Sequence, residues 1–246
     1  MCVSYDGTAY SGWQLQDNAP TIEGELNKAL TDLCGEPIAV IGASRTDAGV
    51  HALCNMAVYD TNARMPGEKV YLALNVRLPK DIRVVWSREV EPDFHPRHRL
   101  TEKTYEYHIW NSDFMPPTLR LYTYQYRNKL DIGLMNEAAK YLEGEHDFKS
   151  FASVNTTAET TVRKVNEVLI RQNGDEVIIS VRGNGFLYNM VRAITGTVLY
   201  ASEGKLTPGD IPLILESGDR TLAGPTVPPG GLYMTKLWYE DERLND

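Results

Sequence analysis

The chain has 246 residues, 42% of them hydrophobic and 24% charged, with a net charge of −8; this permits one large or two closely joined α/β domains with a sizeable core. No run approaches the roughly eighteen apolar residues of a membrane span and no charged-then-apolar leader opens the sequence, so a cytoplasmic protein is expected. With 8 basic against 12 acidic residues before residue 92 and 17 against 21 after it, neither part could grip a polyanion through its overall field.

After a strand stub at 1–4, the turn-rich Tyr5-Asp6-Gly7-Thr8-Ala9-Tyr10-Ser11-Gly12-Trp13-Gln14 leads towards Pro20. Thr21 then offers a hydroxyl to cap a helix, and Glu23 and Glu25 suit the positive end of its dipole. Ile22, Leu26, Ala29, Leu30 and Leu33 line one face up to Gly35, the 3.6-residue spacing of an amphipathic helix. Strands at 38–42 and 52–59, a short helix at 67–75 and a strand at 82–90 complete an α/β half over residues 1–92.

The pattern breaks at Glu91-Pro92-Asp93, and residues 93–246 form the second half. Thr104 to Trp110 alternates aromatic and polar residues as a strand does. A helix at 131–143 precedes a hairpin, 162–171 with 176–182, turning on Gln172-Asn173-Gly174-Asp175 because Asn-Gly accepts positive φ. After Gly183-Asn184-Gly185, Leu187, Met190, Val191, Ile194 and Val198 share a helix face, leaving Tyr188, Arg192 and Thr195 on its flank. Thr207-Pro208-Gly209-Asp210 opens a last helix with proline at its first position, and Leu232 to Tyr239 reads as a strand. With no repeat, low-complexity tract or long linker, the halves are expected to share a continuous, mostly antiparallel sheet with the site in a cleft between them.

Chemistry concentrates in Gly42-Ala43-Ser44-Arg45-Thr46-Asp47-Ala48-Gly49-Val50-His51-Ala52, a polar loop between two buried strands, where rigid scaffolds carry reactive groups. The same residues could make an ordinary turn, with Asp47 capping a backbone donor and Gly49 at positive φ. His51, His95, His98, His108 and His146 show no HExxH or clustered carboxylate pattern, so metal catalysis is a poor fit. Cys2, Cys34 and Cys54, odd in number and without a CxxC, suggest reduced thiols. Serine hydrolysis lacks a GxSxG elbow. Two basic islands stand out: Phe94–Tyr105, with Arg97, Arg99 and Lys103 against Glu102, and Val162–Arg192, with Arg163, Lys164, Arg171, Arg182 and Arg192 against Glu167, Asp175 and Glu176. Each is a local basic groove or a set of solvated strand edges.

Ser44-Arg45-Thr46-Asp47-Ala48-Gly49-Val50-His51-Ala52 closely resembles the catalytic motif of the TruA family of bacterial tRNA pseudouridine synthases. Further segments match in order: Tyr5-Asp6-Gly7 with Gly12-Trp13-Gln14, Asn75-Val76-Arg77-Leu78-Pro79, Phe94-His95-Pro96-Arg97, Lys103-Thr104-Tyr105-Glu106-Tyr107, His146-Asp147-Phe148, Met190-Val191-Arg192 and Gly230-Gly231-Leu232-Tyr233. Against the family's usual pattern the first strand is short, which implies either a clipped edge of the sheet or a truncated sequence, and position 44 is serine where glycine is commoner.

The resemblance implies the α/β pseudouridine-synthase fold and isomerisation of uridine in the anticodon stem-loop of tRNA, positions 38 to 40, by a homodimer without cofactor or metal. It makes Asp47 the nucleophile, at C1′ or C6, and Arg192 the cation that keeps it ionised, since a buried carboxylate resists ionisation. Tyr105 would stack on the target base, with Tyr107 a lesser candidate on the same strand face. Arg45 would handle the flipped base and Thr46 would belong to the substrate-binding set, while His51 supports the loop. Arg97, Arg99, Lys103 and Lys164 are candidate phosphate contacts. A tRNA-binding module without turnover and an Asp-dependent glycosidase are the alternatives; intact Asp47, Tyr105 and Arg192 speak against the first and the lack of a paired acid against the second.

Overall fold

The computed structural model describes residues 1–97, 101–154 and 158–240. The chain forms two compact units, Met1–Thr101 with Tyr233–Asp246, and Glu102–Leu232.

In the first unit the strands run in the order β4 (Ile82–Trp86), β1 (Cys2–Tyr5), β3 (His51–Val58), β10 (Leu232–Tyr239), with β2 (Ile41–Gly42) also on β3. All pair antiparallel except β10, which joins β3 in parallel at Tyr233–His51 and Met234–Ala52. β1 is paired on both sides. Helix α1 (Ile22–Cys34) begins as its sequence dictates: Thr21 is extended at φ −137° and its hydroxyl accepts the Gly24 N–H at 3.2 Å. Ile22, Leu26 and Leu30 are fully buried, each stabilising the unit by about 1.5–3 kcal/mol. Helix α2 (Gly67–Asn75) packs on α1 and β4.

Two strands are shorter than the spacing suggests. At 38–42 only Ile41 and Gly42 pair with β3, because the amides of Ile38 and Val40 bond the side chains of Thr31 and Asn27 on α1 instead. The strand at 82–90 stops at Trp86, where Ser87 turns to α2, its hydroxyl donating to the Gly67 carbonyl and accepting the Tyr71 N–H.

In the second unit β5 (Thr101–Trp110), β9 (Glu176–Gly183), β8 (Val162–Asn173) and β7 (Gly144–Asp147) pair antiparallel in that order, and β6 (Tyr124–Gln125) joins β5 in parallel. The hairpin turns at Gly174, φ +60°. Helix α3 (Ile132–Lys140), capped by Asp131, packs on β8 and on α4 (Met190–Ser202). α4 is buried nearly all round, not along one stripe: Thr195 is fully buried, its hydroxyl donating to the Val191 carbonyl. The last helix, α5 (Asp210–Ser217), starts after Pro208, with the Asp210 carboxylate accepting from the amide and hydroxyl of Thr207. Among the described residues no helix is long and apolar enough to cross a membrane, and no group of three or more His, Cys, Asp or Glu could hold a metal ion.

Candidate active site

The Asp47 loop leaves β2 and enters β3, and the segment between β1 and α1 packs directly against it. Trp13 N–H donates to the Thr46 carbonyl (3.1 Å), Gly49 N–H to the Tyr10 carbonyl (3.2 Å) and Val50 N–H to the Asp47 carbonyl (3.1 Å). Asn55 on β3 accepts the Ser44 N–H (3.2 Å) and donates to the Ser44 carbonyl (2.9 Å). Tyr5, its phenol pushed up from its ordinary pKa by burial, shares a 2.8 Å hydrogen bond with the Thr46 hydroxyl.

These approaches explain the glycines of the first turn. A Cβ on Gly7 would lie 2.0 Å from the Val50 carbonyl oxygen, and one on Gly12 would lie 2.6 Å from the Thr46 carbonyl oxygen at a backbone φ of +90°. Neither position admits a side chain. Gly49 takes the positive φ, +76°, expected of it. Asp47 is half-buried, while Arg45 two residues before it is exposed. His51 is buried, with Nδ1 3.1 Å from the Gly7 amide nitrogen and 3.2 Å from an Asp6 carboxylate oxygen, and its ring stacks on Tyr233 at 4.7 Å. It holds the loop to its neighbours, as expected.

Arg97 also serves this loop: its Nε donates to the Gly42 carbonyl at 2.7 Å. Partial burial and the nearby Arg45 charge lower its pKa. The segment before it is anchored by Phe94 edge-on to Tyr239, whose hydroxyl donates to the Pro96 carbonyl. Arg99 and His98 lie outside the described residues.

In the second unit, Tyr105 on β5 is 8% exposed and meets Phe186 edge-to-face at 5.2 Å. Tyr107, on the same strand face, is fully buried, donates its hydroxyl to the Pro228 carbonyl at 2.7 Å and packs against Gly231, which makes it a core residue. Lys103 lies opposite Gly183 on β9, on Tyr105's face of the strand, and Lys164 on β8 is exposed opposite Glu145. Arg192, half-buried on α4, donates from Nε to the Val227 carbonyl (2.7 Å) and from Nη1 to Asn189 Oδ1 (2.5 Å).

The second basic island is less basic than its composition. Arg182 pairs with Glu102 at 3.1 Å and approaches Glu167 at 3.8 Å, and Arg171 lies 3.6 Å from Glu106. Arg163 Nη1 donates to the carbonyls of Thr160 and Val162. The acids that neutralise Arg171 and Arg182 come partly from β5, far away in sequence, so a charge count along the chain misses them. Other matched segments prove structural: Asn75 clasps the backbone of Val84 with both amide atoms, Arg77 pairs with Asp32 at 2.7 Å, and Phe148 is fully buried.

An α/β chain of mostly antiparallel strands with a braced Arg-Thr-Asp loop fits one class of protein. The chain belongs to the tRNA pseudouridine synthase family, whose model matches residues 1–98 and 138–240. Within it the similarity is to TruA, the tRNA pseudouridine synthase A branch: 46% identity over 239 residues to the enzyme of Caldicellulosiruptor bescii, the same to that of Thermoanaerobacter sp. X514, and 44% to that of Acetivibrio thermocellus. Each alignment covers 97% of this chain and 98% of the relative. Membership makes the protein an isomerase. Among solved structures, a chain of a Cbf5-Nop10-Gar1 complex matches at TM-score 0.39 and 11% identity, covering 98% of this chain and 59% of that one, too loosely to add to the assignment.

Proposed function

We propose that this enzyme isomerises uridine to pseudouridine in the anticodon stem-loop of tRNA, at positions 38 to 40, with Asp47 as nucleophile. What carries the reading is the bracing of the Asp47 loop, fixed at Ser44, Thr46 and Gly49 by partners from β3, β1 and the turn before α1, and closed on itself by the Val50 N–H on the Asp47 carbonyl. Such fixation suits a nucleophile that must meet its target in near-attack geometry.

In the reaction the N1–C1′ bond breaks, uracil rotates and C5 bonds to C1′. The C5 hydrogen leaves as a proton and N1 gains one, so the product is an isomer and no oxidant or reductant is consumed. Asp47 attacks C1′ or C6. A single carboxylate suffices because the delocalised uracil anion can leave without the acid that glycosidases supply. Arg192 supports the ionised form of Asp47, and Tyr105 stacks on the base and assists loss of the C5 proton. Extruding the base costs a few kcal/mol, and Arg45 holds the opened stack with its planar guanidinium. Thr46 contributes through the loop backbone that its hydroxyl helps to pin. Arg97, Arg99, Lys103 and Lys164 meet phosphates, and a homodimer brings the basic surfaces of both subunits to one tRNA in the cytoplasm, reconciling binding with a charge of −8.

The test uses tRNA tritiated at uracil C5. Wild type should release tritium from substrates carrying uridine at 38, 39 or 40, and Asp47→Ala, matched for folding by circular dichroism, should release none above background. Absence of release by wild type from all three substrates sinks the reading.

A further inference from the structure

Asn189, immediately before α4, is the only non-glycine residue with positive φ among the described residues, at φ +63° and ψ 6°. Left-handed backbone is strained for residues bearing a Cβ, though asparagine tolerates it better than most. Glycine would adopt it freely, as it does elsewhere in this chain, so the side chain has to justify the residue.

It does not do so by capping. An asparagine at this position ordinarily has extended backbone and accepts a hydrogen bond from an amide of the first helical turn. Thr21 on α1 and Asp131 on α3 do this here, at φ −137° and −98°. Asn189 makes no such bond. Its Oδ1 instead accepts from Arg192 Nη1 at 2.5 Å, and its Nδ2 donates to Ser153 Oγ at 2.7 Å. A guanidinium only donates, so the amide oxygen must face it, and the Ser153 hydroxyl then accepts from the amide nitrogen and tethers the side chain there. With Nε on the Val227 carbonyl at 2.7 Å, two donors of one planar group are fixed, which sets the plane of the guanidinium.

We infer that Asn189 is a positioning residue for Arg192, retained in a strained conformation because its amide orients the guanidinium for its role in keeping the nucleophile Asp47 ionised. This rests on the role proposed above for Arg192.

Asn189→Gly keeps the backbone conformation and removes the amide, so the fold should persist with an unchanged or higher melting temperature. Single-turnover kcat should fall about tenfold, the scale of one charged hydrogen bond, with KM for tRNA unchanged. The acid limb of the kcat–pH profile should move to higher pH, as the carboxylate loses an aligned cation. Asn189→Gly combined with Arg192→Lys should be no slower than Arg192→Lys alone. If Arg192→Lys is slow while Asn189→Gly keeps wild-type kcat and pH profile, or if the two losses multiply, the positioning role is overturned and the Arg192 reading stands. Wild-type kcat in Arg192→Lys overturns both.

Discussion

The Asp47 loop and the first turn of the helix carrying Arg192 are both held still, but by different means. Around Asp47 the restraint is largely backbone against backbone, with Gly7 and Gly12 packed onto the carbonyls of Val50 and Thr46. Around Arg192 it is side chain on side chain, through Asn189 and Ser153, with one carbonyl from Val227. A carbonyl locked in a packed loop cannot swing aside, so loosening the first region costs stability. The second can lose its alignment while the fold barely registers the change.

The largest effect expected from this contrast is at Gly7. Gly7→Ala should cost about 3 kcal/mol and lower the melting temperature by roughly 10 °C; a melting curve close to wild type would mean that the loop gives way. Next, Asn55→Ala strips two bonds from Ser44 and should cost about 2 kcal/mol, whereas Ser153→Ala should cost less than about 1 kcal/mol yet slow turnover several-fold. Equal destabilisation by the two, in urea titrations, would erase the distinction.

A smaller effect concerns RNA. Arg171→Ala and Arg182→Ala should each change stability by about 0.5 kcal/mol and leave tRNA affinity and its salt slope unchanged. Loss of Lys164 or Arg97 should flatten that slope by about one unit for each phosphate contact removed.

The smallest lies just beyond the end of α4, where Lys205, then Tyr126 and Asn128, hold the Glu203 carboxylate down from 4.5 to about 2. A depressed carboxylate contributes stability that is complete above its unfolded value and fades as pH falls. Wild type should therefore lose stability between pH 4.5 and 2 more steeply than Glu203→Gln, read from urea midpoints.

What was legible in the sequence was local. Thr21, Gly174 and the apolar spacing of 22–33 announce their elements because the forces involved act within a few residues. The shortening of β2 and β4 was not legible, because side chains of Thr31, Asn27 and Ser87 take up backbone groups at the neighbouring helices α1 and α2. Thr195 looked like a flank residue because α4's surroundings come from distant segments, among them the Pro225 carbonyl oxygen, 1.9 Å from where a Cβ on Gly196 would fall. The motif around Asp47 pointed to the loop, but not to why Gly7 and Gly12 accompany it. That reason is a contact, visible only once Tyr5 to Trp13 lies against the loop. Asn189 carried no signal in the sequence beyond its place before Met190.

The parallel pairing of β10 with β3 imposes an order on the protein's birth. Tyr233, which stacks on His51 at the root of the Asp47 loop, is synthesised 182 positions after it. At a ribosomal pace of about 5–20 residues per second, the loop waits roughly ten seconds or more for this last support. The first unit is begun before the second and gains β10 only after it, so a nascent chain should acquire its fully supported Asp47 loop only once Tyr233 has been made.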